Sequence, residues 1–170
     1  MALNADASVA SVDMIGDHYY RLLVDEAHPR GVWQRTTSGG NAEDASAIWE
    51  PVIDLDALNK AEDKSWVWQG AQCVDPENDR CLITLSEGGT DASVTREFDL
   101  KARSWVKGGF DRPLSKGEVS WIDRDTVYVS TDFGPGSMTV SGYPRIVKRW
   151  KRGTPMAQAT TVFEAESGDM

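Results

Sequence analysis

The stretch 65-SWVWQGAQCVDPENDRCLITLSEGGTDASVTREFDLKARSWV-106 contains the pattern that decides the fold class of this chain. A tryptophan-rich strand is followed by a turn, a β-branched strand, a Gly/Ser loop, a charged strand that carries Phe98, and a short closing strand. Residues 118–166 repeat this order, with Trp150 in the place of Phe98. Because four strands in about 40 residues is the size of one propeller blade, the repeat predicts an all-β fold of four-stranded antiparallel blades.

The predicted blades do not complete a propeller. They span about residues 17–58, 63–107 and 117–166, and the first blade is incomplete because only three strands are predicted before residue 58. Residues 1–16 are expected to be a flexible tail or the boundary of a cloned fragment. Because propellers need about four to eight blades, this partial propeller of two to three blades cannot close a ring. The chain is therefore predicted to be a piece of a longer protein, to assemble from several copies, or to pack as an open sandwich.

The individual strands are predicted from runs of β-branched and aromatic residues between turn-forming clusters. They cover residues 18–24, 31–37, 48–55, 65–71, 80–86, 93–100, 103–106, 118–122, 126–131, 145–151 and 160–165. Residues 55–64 have the periodicity for two or three helical turns, or else form a loop. Cys73 and Cys81 flank a turn-rich segment, where a disulfide is possible and reduced, half-buried thiols are the preferred expectation.

Composition excludes several classes of function. With 27 acidic and 18 basic residues, the net charge of −9 argues against nucleic acid binding, which requires clustered positive charge. No apolar run approaches the roughly 20 residues that a membrane helix needs, and no signal peptide precedes the first strand, so a cytoplasmic location is expected. His18 and His28 lie far from the two cysteines, so no metal site is predicted, and no cofactor is expected.

The segment 131-TDFGPGSMTVSGYPRIVKRWKRG-153 contains motifs that suggest catalysis at first sight. Asp132, Phe133 and Gly134 spell the magnesium-binding tripeptide of protein kinases, but the other kinase motifs are missing. Neither Ser137 nor Ser141 has the flanking glycines of a hydrolase nucleophile. The segment is therefore predicted to be a loop in which the aspartate bonds nearby backbone amides and the glycine allows a turn.

Two carboxylate pairs and one basic run also have a functional and a structural interpretation. Asp54 with Asp56, and Glu97 with Asp99, are spaced for a glycosidase pair or a calcium site. We favour the structural interpretation, in which each pair lies where a half-exposed strand runs into a turn. Basic residues within 145–152 occupy both faces of a predicted strand, which does not suit nucleic acid, and we expect this strand near the outer edge of a blade.

Eight phrases in order, from about Asp17 to about Glu166, carry a resemblance to a known family. They are 31-GVWQRTT-37, 52-VIDLDAL-58, 66-WVWQGA-71, 96-REFDL-100, 108-GGF-110, 121-WIDRDT-126, 131-TDFGPGS-137 and 141-SGYPRIVKRWKRGT-154. Together they resemble the propeller region of bacterial prolyl oligopeptidase-type serine peptidases. The resemblance implies a seven-bladed propeller that caps an α/β-hydrolase domain, and that domain holds a Ser, Asp and His triad. It also implies that the whole enzyme cleaves short peptides, typically after proline. No catalytic residue is carried over, because this chain covers only the first two to three blades.

The resemblance implies a role for the loop between the second and third strands of the last blade. In the family, a loop at a similar place faces the hydrolase domain and helps to gate the entry of substrate. The hypothesis is that a flexible loop from residue 133 to 143 gates short peptides here, and that the hydrolase domain of the parent protein is the partner. The residues assigned to the gate are Phe133, Gly134, Ser137, Ser141 and Tyr143.

Two other functions stay open. One is a free-standing, non-catalytic β module that self-associates or binds a partner through open blade edges. The other is a glycan-binding domain that uses exposed tryptophans. In each case the chain alone is expected to hydrolyse nothing.

Overall fold

The computed structural model describes residues 7–37 and 48–168. These residues form three antiparallel sheets, one helix of eight residues and one 3-10 turn, which confirms the predicted all-β fold built from propeller blades. They fall into two compact units, one that ends at Trp68 and one that begins at Gln69.

The elements follow one another in the order of the predicted blades. The strands are β1 (Ser8–Ile15), β2 (His18–Val24), β3 (Val32–Thr36), β4 (Trp49–Asp54), β5 (Trp66–Cys73), β6 (Arg80–Glu87), β7 (Ser93–Asp99), β8 (Ser104–Trp105), β9 (Asp111–Ser115), β10 (Glu118–Asp123), β11 (Thr126–Ser130), β12 (Ile146–Lys151) and β13 (Thr160–Glu164). Helix α1 (Leu55–Glu62) follows β4, and the 3-10 turn covers Met156–Gln158. The first sheet contains β1 to β4, the second contains β5 to β8 with β9 also paired to β7, and the third contains β10 to β13.

The first sheet has four strands instead of the three that the sequence predicts. Strand β1 pairs with β2 from Ser8 opposite Val24 to Ile15 opposite His18. The prediction of a flexible tail is therefore wrong for Ser8–Ile15, and residues 1–6 of that prediction lie outside the described residues. The strand escaped prediction because it lies at the edge of the sheet and buries few apolar side chains: Met14, for example, is 63% exposed.

Aromatic stacking and a capped helix organise the first unit. The ring of Trp33 lies 4.8 Å from that of Tyr20 and 5.1 Å from that of Trp68. Asp54 ends β4 and caps α1, because its Oδ1 accepts a hydrogen bond of 3.0 Å from the Ala57 N–H. The helical interpretation of residues 55–64 is therefore confirmed.

The outermost strand of the second sheet is split in two. Both β8 and β9 pair with β7. The backbone between them leaves the sheet after Val106, whose N–H donates to the Glu97 carbonyl, and returns at Phe110, whose carbonyl accepts from the Glu97 N–H. This excursion places the Phe110 ring edge-on to Trp121 at 5.9 Å and to Trp150 at 5.0 Å. Phe110 thus belongs to the core that the second and third sheets share.

One expectation, about the two cysteines, needs correction. Cys73 and Cys81 face each other across the β5–β6 hairpin, with their Cα atoms 3.9 Å apart, and form a disulfide, so the expectation of reduced thiols is wrong. The expectation rested on the general rule that thiols stay reduced inside cells, whereas the β5–β6 hairpin places these two cysteines opposite each other. By contrast, the basic strand β12 lies next to the edge of its sheet, as the sequence predicts, since it pairs with both β11 and the exposed edge strand β13.

Candidate functional site

The loop between β11 and β12 contains all five residues that the sequence assigns to a gate. At its start, the Asp132 N–H donates a hydrogen bond of 3.1 Å to Ser115 Oγ. Near its end, Lys116 Nζ lies 4.3 Å from the centre of the Tyr143 ring, which is cation–π distance. Ser115 is the last residue of β9, and Lys116 belongs to the segment that connects the second sheet to the third. The loop therefore lies beside a connection between sheets, as the alternation of strand directions predicts.

The same loop also contacts the segment that leaves the third sheet after β13. The Val140 N–H donates to the Ser167 carbonyl at 2.9 Å, and the Ala165 N–H donates to the Arg145 carbonyl at 2.7 Å. The Arg145 guanidinium returns a bond of 2.8 Å to the Ala165 carbonyl. We call the surface formed by the loop and by these two connecting segments the connection face.

Ser137 lies at the centre of the loop and is 3% exposed. Its Oγ accepts a hydrogen bond of 2.9 Å from the Phe133 N–H and lies 2.6 Å from the Gly134 carbonyl, to which it donates. Asp132 Oδ1 lies 3.2 Å from the same hydroxyl. None of these partners is an imidazole that could take the hydroxyl proton. Ser137 therefore stabilises the conformation of the loop through these hydrogen bonds.

The kinase-like tripeptide is a turn. Asp132 Oδ1 accepts a hydrogen bond of 2.9 Å from the Gly134 N–H, and Gly134 has a φ of 112°, a conformation that favours glycine. This confirms the turn that the sequence predicts for these residues. Phe133, the middle residue, packs its ring under Lys148 Nζ at 4.3 Å.

The remaining gate residues lie at the tip of the loop. A tight turn is closed by bonds from the Thr139 N–H to the Tyr143 carbonyl at 2.7 Å and from the Gly142 N–H to the Thr139 carbonyl at 2.9 Å. Ser141 lies within this turn, next to Val140, whose side chain is 82% exposed. The loop thus forms internal hydrogen bonds and exposes its tip at Val140.

The carboxylate pairs have structural roles. Asp54 caps α1, while Asp56 accepts hydrogen bonds from the Arg30 and Gly31 N–H groups at 3.1 Å. Asp99 accepts bonds from the N–H groups of the turn that follows β7. These contacts favour the structural interpretation over a glycosidase pair or a calcium site.

Glu97 is a buried carboxylate, so the prediction that it lies on a half-exposed strand is wrong, and the sequence did not reveal its role. Its side chain is fully buried and forms ion pairs with Arg80 at 3.1 Å and with Arg152 at 2.9 Å. It also accepts a hydrogen bond of 2.9 Å from the Phe110 N–H. Because Arg152 follows β12, this ion pair joins the second sheet to the third.

Arg112 is a second buried charge that the sequence did not reveal. It is fully buried, and its two Nη groups donate to oxygens of Ser93, Thr95, Pro113 and Ser115. Burial lowers the pKa of Arg112 to about 10, and the nearby charge of Glu118 opposes this shift. Arg112 therefore stays protonated at neutral pH and holds β9 against β7.

Within the described part of the chain, no three His, Cys, Asp or Glu side chains come together as a metal site would require. Over the same residues, no helix has the length and apolar character needed to cross a bilayer.

Comparison with known proteins identifies a family. Residues 6–170 match the family described as "Prolyl oligopeptidase, N-terminal beta-propeller domain". A protein of Sinorhizobium fredii named as an uncharacterized peptidase is 41% identical over 98% of this chain, and one of Rickettsia prowazekii is 33% identical over 86%. These matches cover 22% and 21% of the two relatives, so the chain spans about a fifth of their length.

Solved structures agree with this match. A post-proline cleaving enzyme from Rickettsia typhi superposes with a TM-score of 0.85 at 29% identity, over 94% of this chain and 24% of that enzyme. Oligopeptidase B from Leishmania major superposes with a TM-score of 0.72 over 94% of this chain and 21% of its own; at 15% identity this likeness concerns the fold alone.

Proposed function

Because the chain belongs to the prolyl oligopeptidase family and corresponds to its N-terminal β-propeller domain, we propose that it is the propeller segment which limits and gates the access of short peptides to a hydrolase domain elsewhere in a longer protein. The relatives are four to five times longer than the stretch they share with this chain, which leaves room for such a domain. In this proposal the propeller excludes large folded substrates, and the hydrolase domain carries out the cleavage.

One observation carries the gating part of the proposal. The loop from Thr131 to Arg145 is anchored at its base by the hydrogen bond from Asp132 to Ser115, and it contacts both the segment before β10 and the segment after β13. In a propeller, such connections lie on one face. A loop that is fixed at its base and exposed at Val140 on that face is well placed to meet a second domain or a peptide.

The test uses the longer protein and peptides of two lengths. Tyr143→Ala removes the ring that lies under Lys116, whereas Tyr143→Phe keeps the ring and loses only the hydroxyl. We expect the alanine variant to change the ratio of kcat/KM for a short and a long proline-containing peptide, and the phenylalanine variant to keep the wild-type ratio. An unchanged ratio for the alanine variant, in a protein that still folds, would contradict the gating role.

A second candidate function rests on an exposed apolar surface of the third sheet. Phe163 is 61% exposed, Val162 49% and Tyr128 43%, and with Val147 they line a groove of about 400 Å³. Such a surface favours association with a second copy of the chain. Light scattering on the purified chain tests this candidate, because Phe163→Ser should shift a dimer toward monomer; a wild-type chain that is monomeric at all concentrations would exclude it.

A further inference from the structure

A polar groove lies between β5 and β10, within the unit that begins at Gln69. Its volume is about 530 Å³, which falls in the range of ligand sites in proteins. One wall is formed by residues 69–72 of β5 and the other by Gly117 and the first two residues of β10, and side chains of β6, including Thr84 and Ser86, lie between them. The groove is therefore large enough for a few residues of an extended peptide.

Both walls are strands with an open edge. Strands β5 and β10 each stand first in the strand order of their sheets, so each has one edge without a strand neighbour among the described residues. An open edge presents backbone N–H and C=O groups to which an extended peptide can add as a further strand. At one end Trp121 donates hydrogen bonds to Gln72 from its backbone N–H at 3.1 Å and from Nε1 at 2.8 Å, which closes the groove there.

The charges of the groove select the kind of peptide. Asp91 and Glu118 are exposed carboxylates of the lining, and the described residues that line the groove include no Lys, Arg or His. The buried cation Arg112, which contacts the lining residue Ser93, donates from both Nη groups to protein oxygens. The carboxylates alone would be ordinary surface charges; beside two open strand edges they favour a positively charged ligand.

We propose that this groove binds an extended peptide segment that carries a positive charge, through strand addition at β5 or β10 and through Asp91 and Glu118. The choice of a peptide as ligand rests on the proposed function. Binding to this chain, however, is measured without any hydrolase domain, so a failure of the groove and a failure of the gating role can be told apart.

The experiment follows backbone amide resonances of the 170-residue chain during titration with small blocked peptides. The probe is acetyl-Val-Lys-Val-Ala-amide, the neutral comparison has Gln in place of Lys, and a third peptide is the Lys probe with N-methylated backbone amides. Asp91→Asn combined with Glu118→Gln removes the two charges, and Asp13→Asn with Glu26→Gln is the matched control at exposed sites outside the groove.

We expect the amides of residues 69–72 and 117–119 to shift on addition of the Lys probe, with a Kd on the order of 1 mM. The Gln peptide should bind the wild type, and the Lys probe should bind the groove double variant, roughly three- to ten-fold more weakly than the Lys probe binds the wild type. The effect is modest because exposed ion pairs contribute little binding free energy. The N-methylated peptide should not bind, and the control variant should bind as the wild type does.

Three results would overturn the proposal. One is the absence of shifts in the groove up to about 10 mM probe. Another is equal binding of the Lys, Gln and N-methylated peptides to the wild type, a comparison that needs no variant to fold. The third is a shift of the groove amides with protein concentration alone, which would mean that a second copy of the chain occupies the groove.

Discussion

Replacement of Glu97 by glutamine tests how the second and third sheets are held together. The side chain is fully buried and receives the Phe110 N–H at 2.9 Å, Arg80 Nη1 at 3.1 Å, and both Nη atoms of Arg152 at 2.9 Å. Glutamine keeps the shape and one carbonyl oxygen. It removes the negative charge and turns an NH₂ group toward guanidinium groups, so two arginines would lose their shared counter-charge.

The magnitude follows from burial and charge. Removing one partner of a buried ion pair typically costs about 3–5 kcal/mol, because the remaining charge is left without compensation. The side chains of Arg80 and Arg152 are 22% and 24% exposed, so water screens part of this loss. We therefore expect Glu97→Gln to lower the free energy of unfolding by about 3 kcal/mol, a large part of the 5–15 kcal/mol typical of a domain.

The assay is urea unfolding followed by tryptophan fluorescence, with Asp99→Asn as the matched control on the same strand. Asp99 lies 3.5 Å from Arg80 and is 22% exposed, so its neutralisation should cost less than about 1 kcal/mol. In a double-mutant cycle, Glu97→Gln and Arg152→Gln should couple by more than about 1 kcal/mol. Equal losses for Glu97→Gln and Asp99→Asn, or additive effects in the cycle, would refute the view that this ion pair joins the sheets.

Three further predictions concern the same unit. Phe110→Ala should cost about 3–5 kcal/mol in urea unfolding, since the ring is 2% exposed, and a loss below 1 kcal/mol would contradict its core role. Gly117→Ala should lower the Tm in a circular dichroism melt by roughly 2–4 °C or more, because a Cβ there would lie 2.1 Å from the Ser130 carbonyl oxygen; an unchanged Tm would contradict this. The hydrogen bond from Arg124 lowers the pKa of Asp79, so this bond stabilises the fold above the unfolded pKa and is lost as the pH falls through the folded pKa. Asp79→Asn should therefore destabilise the chain at pH 7 and lose that effect progressively as the pH falls below about 4, and an equal effect at pH 2 would speak against the ion pair.

The blade pattern could be predicted because it is local. Alternating β-branched and aromatic residues between turn-forming clusters give each strand its own signal, and the repeat then identifies the blade. The two strands that sequence reasoning missed lack this signal. Strand β1 is exposed on its described side chains at Val12 and Met14, and β9 begins Asp111-Arg112-Pro113, a sequence atypical of a strand. Both are recognised only through the neighbour with which they pair.

The roles of the charged residues could not be predicted, because they depend on partners far along the chain. Glu97 and Arg152 are 55 residues apart in sequence, and Arg112 reaches Ser93 across 19 residues. In the sequence, Glu97 alternates with apolar residues like any exposed strand position. Only the fold shows that this carboxylate lies between two sheets. There Glu97 forms an ion pair with Arg152, instead of a catalytic pair with Asp99.

Lys116 and Gly117 link the loop to the groove, since the two residues are adjacent in the chain. Lys116 holds the Tyr143 ring of the loop, while Gly117 lines the groove and has no room for a side chain against the Ser130 carbonyl. The backbone at Gly117 therefore packs closely against Ser130 of β11, and in the proposed function a movement of Tyr143 would be passed through Lys116 to this wall of the groove. In the proposed function, this arrangement would give the glycine-rich loop a physical route to peptide binding that needs no catalytic residue in the loop itself.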